Sequence, residues 1–190
     1  MYAYLYGDKF DKKTLRNRLI KRNRGIAMRW TKEEKIYDFL KGRYIACLAT
    51  ENEDGSIHLT SVWYLFEKGF LYISTNSGSR KAHNVLTHPK VSVMVDSRKT
   101  GRERGVAISG DAQIVTGEPA RDPALRIHRR YLSEAAIADP RVGGVLAAVD
   151  DVIIRITPKT WVWWDMSLVD KRVFSGLLNS TPSYTLPLDQ

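Results

Sequence analysis

The hydrophobic residues of this chain are grouped in short runs that alternate with polar residues. Six segments rich in Val, Ile, Tyr and Thr are separated by turn-forming residues, a pattern typical of β-strands. The segments are residues 44–51, 56–65, 69–75, 90–96, 105–115 and 152–164. Asp54-Gly55 and Lys68-Gly69 fall between the first three and predict two hairpin turns.

Helical patterns are fewer than strand patterns. The segment WTKEEKIYDFL has Thr31 as a capping residue and Glu34 three positions later, which is the pattern of a capping box. A short helix is predicted near 79–87.

A longer helix is predicted from about 122 to 138, where Asp122-Pro123 supply a capping residue and a proline at the first helical position. About six strands with only two helices between them lack a regular βαβ alternation. The pattern therefore predicts a mainly β fold, a closed antiparallel barrel of roughly six strands with Greek-key-type connections. The chain then divides into an N-terminal arm at 1–29, a barrel domain at 30–166 and a C-terminal tail at 167–190.

The net charge of +9 is concentrated at the N-terminus. Residues 1–29 contain nine Lys or Arg against Asp8 and Asp11, so this arm holds +7 and the remaining chain is nearly neutral. We expect a solvated or dimer-wrapping extension and no specific nucleic-acid partner. RNA and anionic lipid stay open as alternative contacts of the arm.

The apolar runs are short, and the run at 142–149 is far below the roughly 18 residues that a membrane span needs. The N-terminus lacks the pattern of a secretory signal, so the expected location is the cytoplasm. The single cysteine, Cys47, excludes an internal disulfide, and the four histidines show no metal-ligand spacing. No metal site is predicted.

The strongest chemical signal lies at residues 73–96. Ser74-Thr75 end a predicted strand, Ser79 can cap the following helix, and Arg80-Lys81 fall in its first turn. A helix start favours an anion, and the Arg and Lys side chains match a phosphate group. From these residues alone, a solvated helix cap remains an alternative interpretation.

The run TNSGSRKAHNVLTHPKVSV, residues 75–93, resembles the cofactor-phosphate segment of the pyridoxine/pyridoxamine 5′-phosphate oxidase family. The hairpin ending EKGFLYIST and the later strand GVAISGDAQIV also align, so the resemblance covers roughly residues 40–116. It implies an FMN-binding split β-barrel that forms a homodimer and builds its flavin site from both chains.

Carried over by position, the resemblance implies that Ser74 and Thr75 line the flavin and that Arg80 and Lys81 bind its phosphate. Trp164, in the segment PKTWVWW, aligns with a tryptophan that contacts the flavin. The family's flavin-lining strand aligns with His58, Leu59, Thr60, Ser61, Val62 and Trp63.

Three departures from the family pattern stand out. His58 and Trp63 occupy places where the family usually has Arg and Lys, so FMN could bind more weakly or another cofactor could replace it. Gly105 stands where the oxidases carry a flavin-contacting glutamine, which leaves the redox edge more open. The Arg-Leu-His-Asp-Arg signature that grips pyridoxal phosphates is absent, and DMSLVDKR stands there.

The resemblance therefore implies a flavin-dependent oxidoreductase that moves hydride between bound FMN and a small conjugated or aromatic substrate. Two alternatives remain open: a reductase of the same fold that uses a deazaflavin coenzyme, and a non-catalytic protein that binds flavin or haem. No general acid or base is identified from the sequence.

Overall fold

The structure is a computed structural model that describes residues 32–98 and 103–186, so the predicted basic arm and the capping Thr31 lie outside the described residues. The strands are β1 (Ala46–Glu51), β2 (Ile57–Val62), β3 (Leu65–Glu67), β4 (Phe70–Asn76), β5 (Lys90–Ser97), β6 (Arg104–Val115) and β7 (Asp151–Asp165). The helices are α1 (Lys32–Leu40), α2 (Arg80–Thr87), α3 (Glu118–Tyr131), α4 (Glu134–Ala138), α5 (Gly143–Ala148), α6 (Met166–Val173) and α7 (Leu177–Ser180), followed by a 3₁₀ turn at Pro182–Tyr184.

The described residues form seven strands in one antiparallel sheet, in the order β2-β1-β5-β6-β7-β4-β3. The predicted count of six was wrong by one, because the segment 56–65 is two strands that Trp63 and Tyr64 separate. Both predicted hairpin turns are present, and Gly55, Lys68 and Gly69 have positive φ angles of 79°, 50° and 82°.

Strands β2 and β3 lie at opposite edges of the sheet, although only two residues connect them. A flat seven-stranded sheet is about 29 Å wide. The three backbone steps from Val62 to Leu65 reach at most roughly 11 Å. The sheet must therefore curl until its edges meet, which confirms the predicted mainly β, split-barrel fold.

Rows of side chains that run across neighbouring strands fill the interior of the barrel. In one such row Thr60 lies opposite Leu48, Leu48 opposite Val93, Val93 opposite Ile108, and Ile108 opposite Trp161. The last four of these side chains are buried. Helix α1 adds apolar side chains to the same core: Ile36, Phe39 and Leu40.

Helix α3 covers the outer face of β7, β4 and β3. Its Ala120, Ala124 and Ile127 pack against Ile153 of β7 in a second apolar cluster. This helix begins four residues before the predicted start at Asp122, after Gly117 at φ 67°.

The predicted single helix at 122–138 is two helices in the structure. Pro119 lies in the first turn of α3, where its missing N–H costs nothing, so the chain is already helical before Pro123. At the other end Leu132 leaves the helix, and Ser133 starts α4 by accepting a hydrogen bond from the Ala136 N–H at 3.2 Å.

Two helices lie within the segment predicted as a C-terminal tail. Asp170 of α6 is buried and accepts hydrogen bonds from the backbone N–H groups of Leu178 and Asn179, each at 3.0 Å. These bonds tie α7 to α6. Among the described helices, none combines the length and apolar character that crossing a membrane requires.

The connection between β2 and β3 is fixed by Tyr64, whose side chain is fully buried. Its hydroxyl lies 3.0 Å from the carbonyl oxygens of Leu40 and Gly42, just after α1. Burial raises the pKa of this phenol well above its usual range. Arg130 of α3 donates to the same two carbonyls, so α1, α3 and the connection are held together.

We expect Tyr64→Ala to lower the free energy of unfolding by about 3–5 kcal/mol, because it empties an aromatic site in the core. Tyr64→Phe keeps the ring and loses one hydroxyl, so it should cost only about 0.5–1.5 kcal/mol. Urea denaturation of the two variants measures both values. Equal losses of unfolding free energy in the two variants would contradict the conclusion that Tyr64 stabilises the fold mainly through the packing of its ring.

Candidate functional site

The predicted phosphate-binding segment forms a tight connection from β4 to α2. The Asn76 side chain accepts the Gly78 N–H at 2.9 Å, which shapes the turn. Ser79 is the N-cap of α2 and accepts the Ala82 N–H at 3.4 Å, while Thr75 donates its hydroxyl to Ser79 Oγ at 3.1 Å. The chain thus presents the start of an eight-residue helix directly beyond the end of a strand.

Arg80 and Lys81 are the first two residues of α2, and neither forms an ion pair with a carboxylate of the described residues. Burial lowers the pKa of Lys81, so its ammonium is partly removed from water without a compensating negative charge. The first turn of α2 contains no acidic residue. An anion at this helix start would supply the missing partner.

Ser74 and Thr75 point to opposite faces of the sheet, because they are neighbours on β4. The Ser74 hydroxyl donates to Asp151 Oδ2 at 2.9 Å on the outer side of the barrel. Thr75 instead faces Ser79. Of the two predicted side chains, Thr75 is therefore the one that lies beside the start of α2.

The six predicted residues of the flavin-lining segment divide between two faces. His58, Thr60 and Val62 are on the side of the barrel interior, in register with Thr50, Leu48 and Ala46 of β1. The outward set is Leu59, Ser61 and Trp63. Among the described strands β2 pairs only with β1, so its other edge leaves backbone N–H and C=O groups without a strand partner there.

The beginning of β2 lies near α2. Asn84 of α2 donates to Thr50 Oγ1 at 3.0 Å and to Asn52 Oδ1 at 2.8 Å, and Thr50 pairs with His58. Trp63 is five residues after His58, which is roughly 17 Å along an extended strand. Strand β2 therefore leads from the start of α2 toward Trp63.

Trp63 stacks on Tyr131 of α3, with ring centroids 5.0 Å apart and planes inclined by 2°. The Tyr131 hydroxyl donates to the carbonyl oxygen of Tyr44 at 2.6 Å. The Trp63 residue is still 37% exposed. The far end of β2 thus carries a flat, fixed aromatic surface that is partly open to a ligand.

Trp164 lies at the end of β7, where it pairs with Gly105 of β6. A Cβ atom at position 105 would lie only 2.2 Å from Cζ2 of the Trp164 indole. The indole thus covers the backbone of Gly105, and the space that a larger side chain would need there is filled.

Trp164 is far from the start of α2 within one chain. Val152 pairs with Thr75, and Trp164 is 12 positions later on the same strand, roughly 40 Å of extended chain. Thr75 and Trp164 therefore lie toward opposite ends of β7.

The outer face of β2, β1, β5 and β6 carries no helix among the described residues that packs flat on it. One cross-strand row on this face is Ser61, Cys47, Met94, Ala107 and Val162. Leu59 is 64% exposed, Val162 46% and Met94 36%. Small and apolar side chains that lie exposed on the outer face of a sheet are typical of a surface that another protein covers.

The sequence profile of the pyridoxamine 5′-phosphate oxidase family matches residues 33–165, which include nearly the whole barrel. The chain belongs to this family, as the resemblance in residues 40–116 predicted. No match is found among curated proteins.

Solved structures with the same fold include a conserved hypothetical protein, Rv2991, from Mycobacterium tuberculosis. It is 28% identical, with a TM-score of 0.62 over 77% of this chain and 92% of that chain. An F420 reductase is 22% identical, with a TM-score of 0.52 over 68% and 97%. HutZ, the haem storage protein from Vibrio cholerae, is 17% identical, with a TM-score of 0.54 over 73% and 95%.

Two residues of this region were not among the predicted site residues, Arg130 and Tyr131. Tyr131 supports Trp63, and Arg130 lies over the Tyr64 ring at 5.3 Å from its centroid. Tyr131 is 67 residues from Tyr64 in the chain, and Arg130 is 88 or more residues from the carbonyl groups of Gly42 and Leu40. A basic-aromatic pair at the end of a helix carries no local signal of such distant contacts.

We expect Gly105→Ala to displace the Trp164 indole, because the new methyl group would overlap its ring. Forcing a methyl group into a filled space costs about 1–3 kcal/mol. Tryptophan emission should therefore shift in Gly105→Ala and stay unchanged when Gly105→Ala is added to Trp164→Phe. A shift that persists without Trp164 would show that this contact does not govern the site.

Proposed function

We propose that this protein binds a phosphorylated flavin, FMN, and is a flavin-dependent oxidoreductase that acts on small conjugated or aromatic compounds. The observation that carries the proposal is the start of α2, where Lys81 is partly buried and neither it nor Arg80 forms an ion pair among the described residues. Membership of a family of flavin enzymes supports the same ligand.

Arg80 and Lys81 would hold the phosphate of the cofactor. A guanidinium binds two phosphate oxygens at once, an ammonium adds a point charge, and the Thr75 hydroxyl adds a donor. The partial burial of Lys81 strengthens its attraction to an anion, because water screens that charge less. These features fit a phosphate monoester.

The remainder of the cofactor would follow β2 toward Trp63. The free edge of β2 offers backbone donors and acceptors that match the polar edge of a flavin ring. Leu59 and Ser61 lie between the two ends on the outward face. The residues of this chain would hold the flavin ring, shield it from water and leave one face of the ring open.

The bound flavin would supply the hydride-transfer chemistry. The substrate surface on this chain is aromatic, because Trp63 and Tyr131 present a stacked pair at the far end of β2. A flat aromatic surface suits a conjugated or aromatic molecule better than a small phosphate. The missing Arg-Leu-His-Asp-Arg segment agrees with a substrate other than pyridoxamine 5′-phosphate.

We also propose that two copies form a dimer through the outer face defined by Leu59, Met94 and Val162. Those three side chains are exposed in one copy, and burying them would remove apolar surface from water. A two-fold arrangement would also bring the partner's end of β7 close to β2.

A deazaflavin coenzyme is the second candidate. Trp63 replaces a basic residue at the ring end of the predicted site, and an F420 reductase shares the fold. Mass spectrometry of the cofactor released from native protein separates the two candidates directly. The visible spectrum gives the same information, because each cofactor keeps its own chromophore when bound.

We expect Arg80→Ala and Lys81→Ala each to weaken FMN binding by about 10–150-fold, since a charge-assisted hydrogen bond contributes about 1.5–3 kcal/mol. Titration of FMN into the variants measures the effect. Lys35→Ala, which removes an exposed lysine of α1, is the matched control and should leave the affinity unchanged. Wild-type affinity in the Arg80→Ala/Lys81→Ala double variant would remove the phosphate assignment.

The dimer predicts a sedimenting mass about twice the 21.7 kDa of one chain. Met94→Glu puts a charge in the middle of the proposed interface, so it should shift the protein toward the monomer. Val145→Glu, at an exposed position of α5, is the control and should sediment like the wild type. A wild-type monomer that still binds flavin tightly would contradict the proposed interface.

A further inference from the structure

A cavity lies beside α3 at the start of β7. It has a volume of about 620 Å³ and is lined by α3, α4, α5 and the first residue of β7. This is within the range of ligand-binding pockets, which is about 300–1,000 Å³. The proposed flavin and substrate residues do not line it.

The wall of the cavity is mainly apolar. Helix α3 contributes Ala120 and Ala124, whose small side chains leave the space open, together with Leu125. Ile137 of α4 and Leu146 of α5 form the opposite side. Such a wall suits the hydrocarbon part of a small organic molecule.

Two polar side chains face the cavity from its inner end, His128 and Asp151. The His128 residue is only 8% exposed, and its Nε2 lies 3.6 Å from Asp151 Oδ2. Oδ2 also accepts the hydrogen bond from Ser74. No described residue donates a hydrogen bond to Oδ1, so the carboxylate keeps one oxygen for another donor.

The charge balance of the lining is negative. Asp150 and Asp151 are the acidic members, and Arg121 is the basic one. Arg121 forms an ion pair with Glu118 at 3.0 Å, so its charge is already balanced. Burial lowers the pKa of His128, which keeps its imidazole neutral near pH 7 despite the neighbouring carboxylate.

We propose that this cavity is a binding site for a small organic amine, whose ammonium group would bind Asp151 while its apolar body packs between α3 and α5. A positively charged head group would balance the negative charge of the carboxylates, and a compact hydrocarbon body would fill the apolar space. A carboxylate or phosphate ligand is disfavoured because it would face Asp150 and Asp151. The site is separate from the proposed flavin site and does not depend on it.

The test uses two probes of nearly equal shape, 2-phenylethylamine and the neutral 2-phenylethanol. Calorimetric titration of the full-length protein gives the two affinities, and amide chemical shifts locate the site. We expect the amine to bind at least about 10-fold more tightly than the alcohol. The largest shifts should lie at Ala124, His128, Ile137 and Asp151.

Asp151→Asn keeps an acceptor for Ser74 and removes the charge. It should therefore weaken binding of the amine by about 10–150-fold and leave the affinity for the alcohol nearly unchanged. Asp122→Asn removes a carboxylate from α3, the helix that lines the cavity, at a position outside the lining, and is the matched control. Far-ultraviolet circular dichroism of both variants confirms that they fold. Equal affinities for the two probes, no binding, or shifts confined to α2 and β2 would each overturn the proposal.

Discussion

The whole arrangement depends on a two-residue connection between the opposite edges of one sheet. Trp63 and Tyr64 must bridge β2 and β3, and no flat sheet of seven strands allows this. The buried ring of Tyr64 and its contacts with the end of α1 fix the connection in place. Closure of the barrel, and with it the enclosed core, follows from that single constraint.

The same connection determines where the candidate site lies. The chain leaves β2 at Trp63, so this indole emerges at the outer surface and meets Tyr131 of α3. The opposite end of β2 adjoins α2, which begins with Arg80 and Lys81. One edge strand thereby connects two basic side chains to an aromatic surface, and this layout supports the proposed phosphorylated, ring-bearing cofactor.

Much of this architecture was predictable because its signals are local. The alternating segments identified six regions of strand, Lys68-Gly69 identified a hairpin, and Ser79-Arg80-Lys81 identified a helix start suited to phosphate. The break at Trp63 was not predictable in this way. An unbroken apolar run, residues 62–66, continues through it, and only the distant partners Arg130 and Tyr131 show why the strand ends there.

Other features that the sequence did not predict depend on distant contacts in the same way. Pro119 and Pro123 both fit near a helix start, and the choice between them depends on how α3 packs against Ile153. The opposite orientation of Ser74 and Thr75 could have been inferred from their adjacency in a strand, but the Asp151 partner of Ser74 is 77 residues away. Long-range contacts thus decided what local patterns left open.

The proposed cofactor site takes Lys81 from one copy and Trp164 from the other. Co-refolding Lys81→Ala chains with Trp164→Ala chains tests it most directly, because a mixed dimer would contain one site with both native residues. Statistical mixing should then restore wild-type FMN affinity to about one site in four, although neither variant alone has such sites. If no high-affinity sites return on mixing, the two residues belong to a site within a single chain or to no common site, and the shared site is wrong.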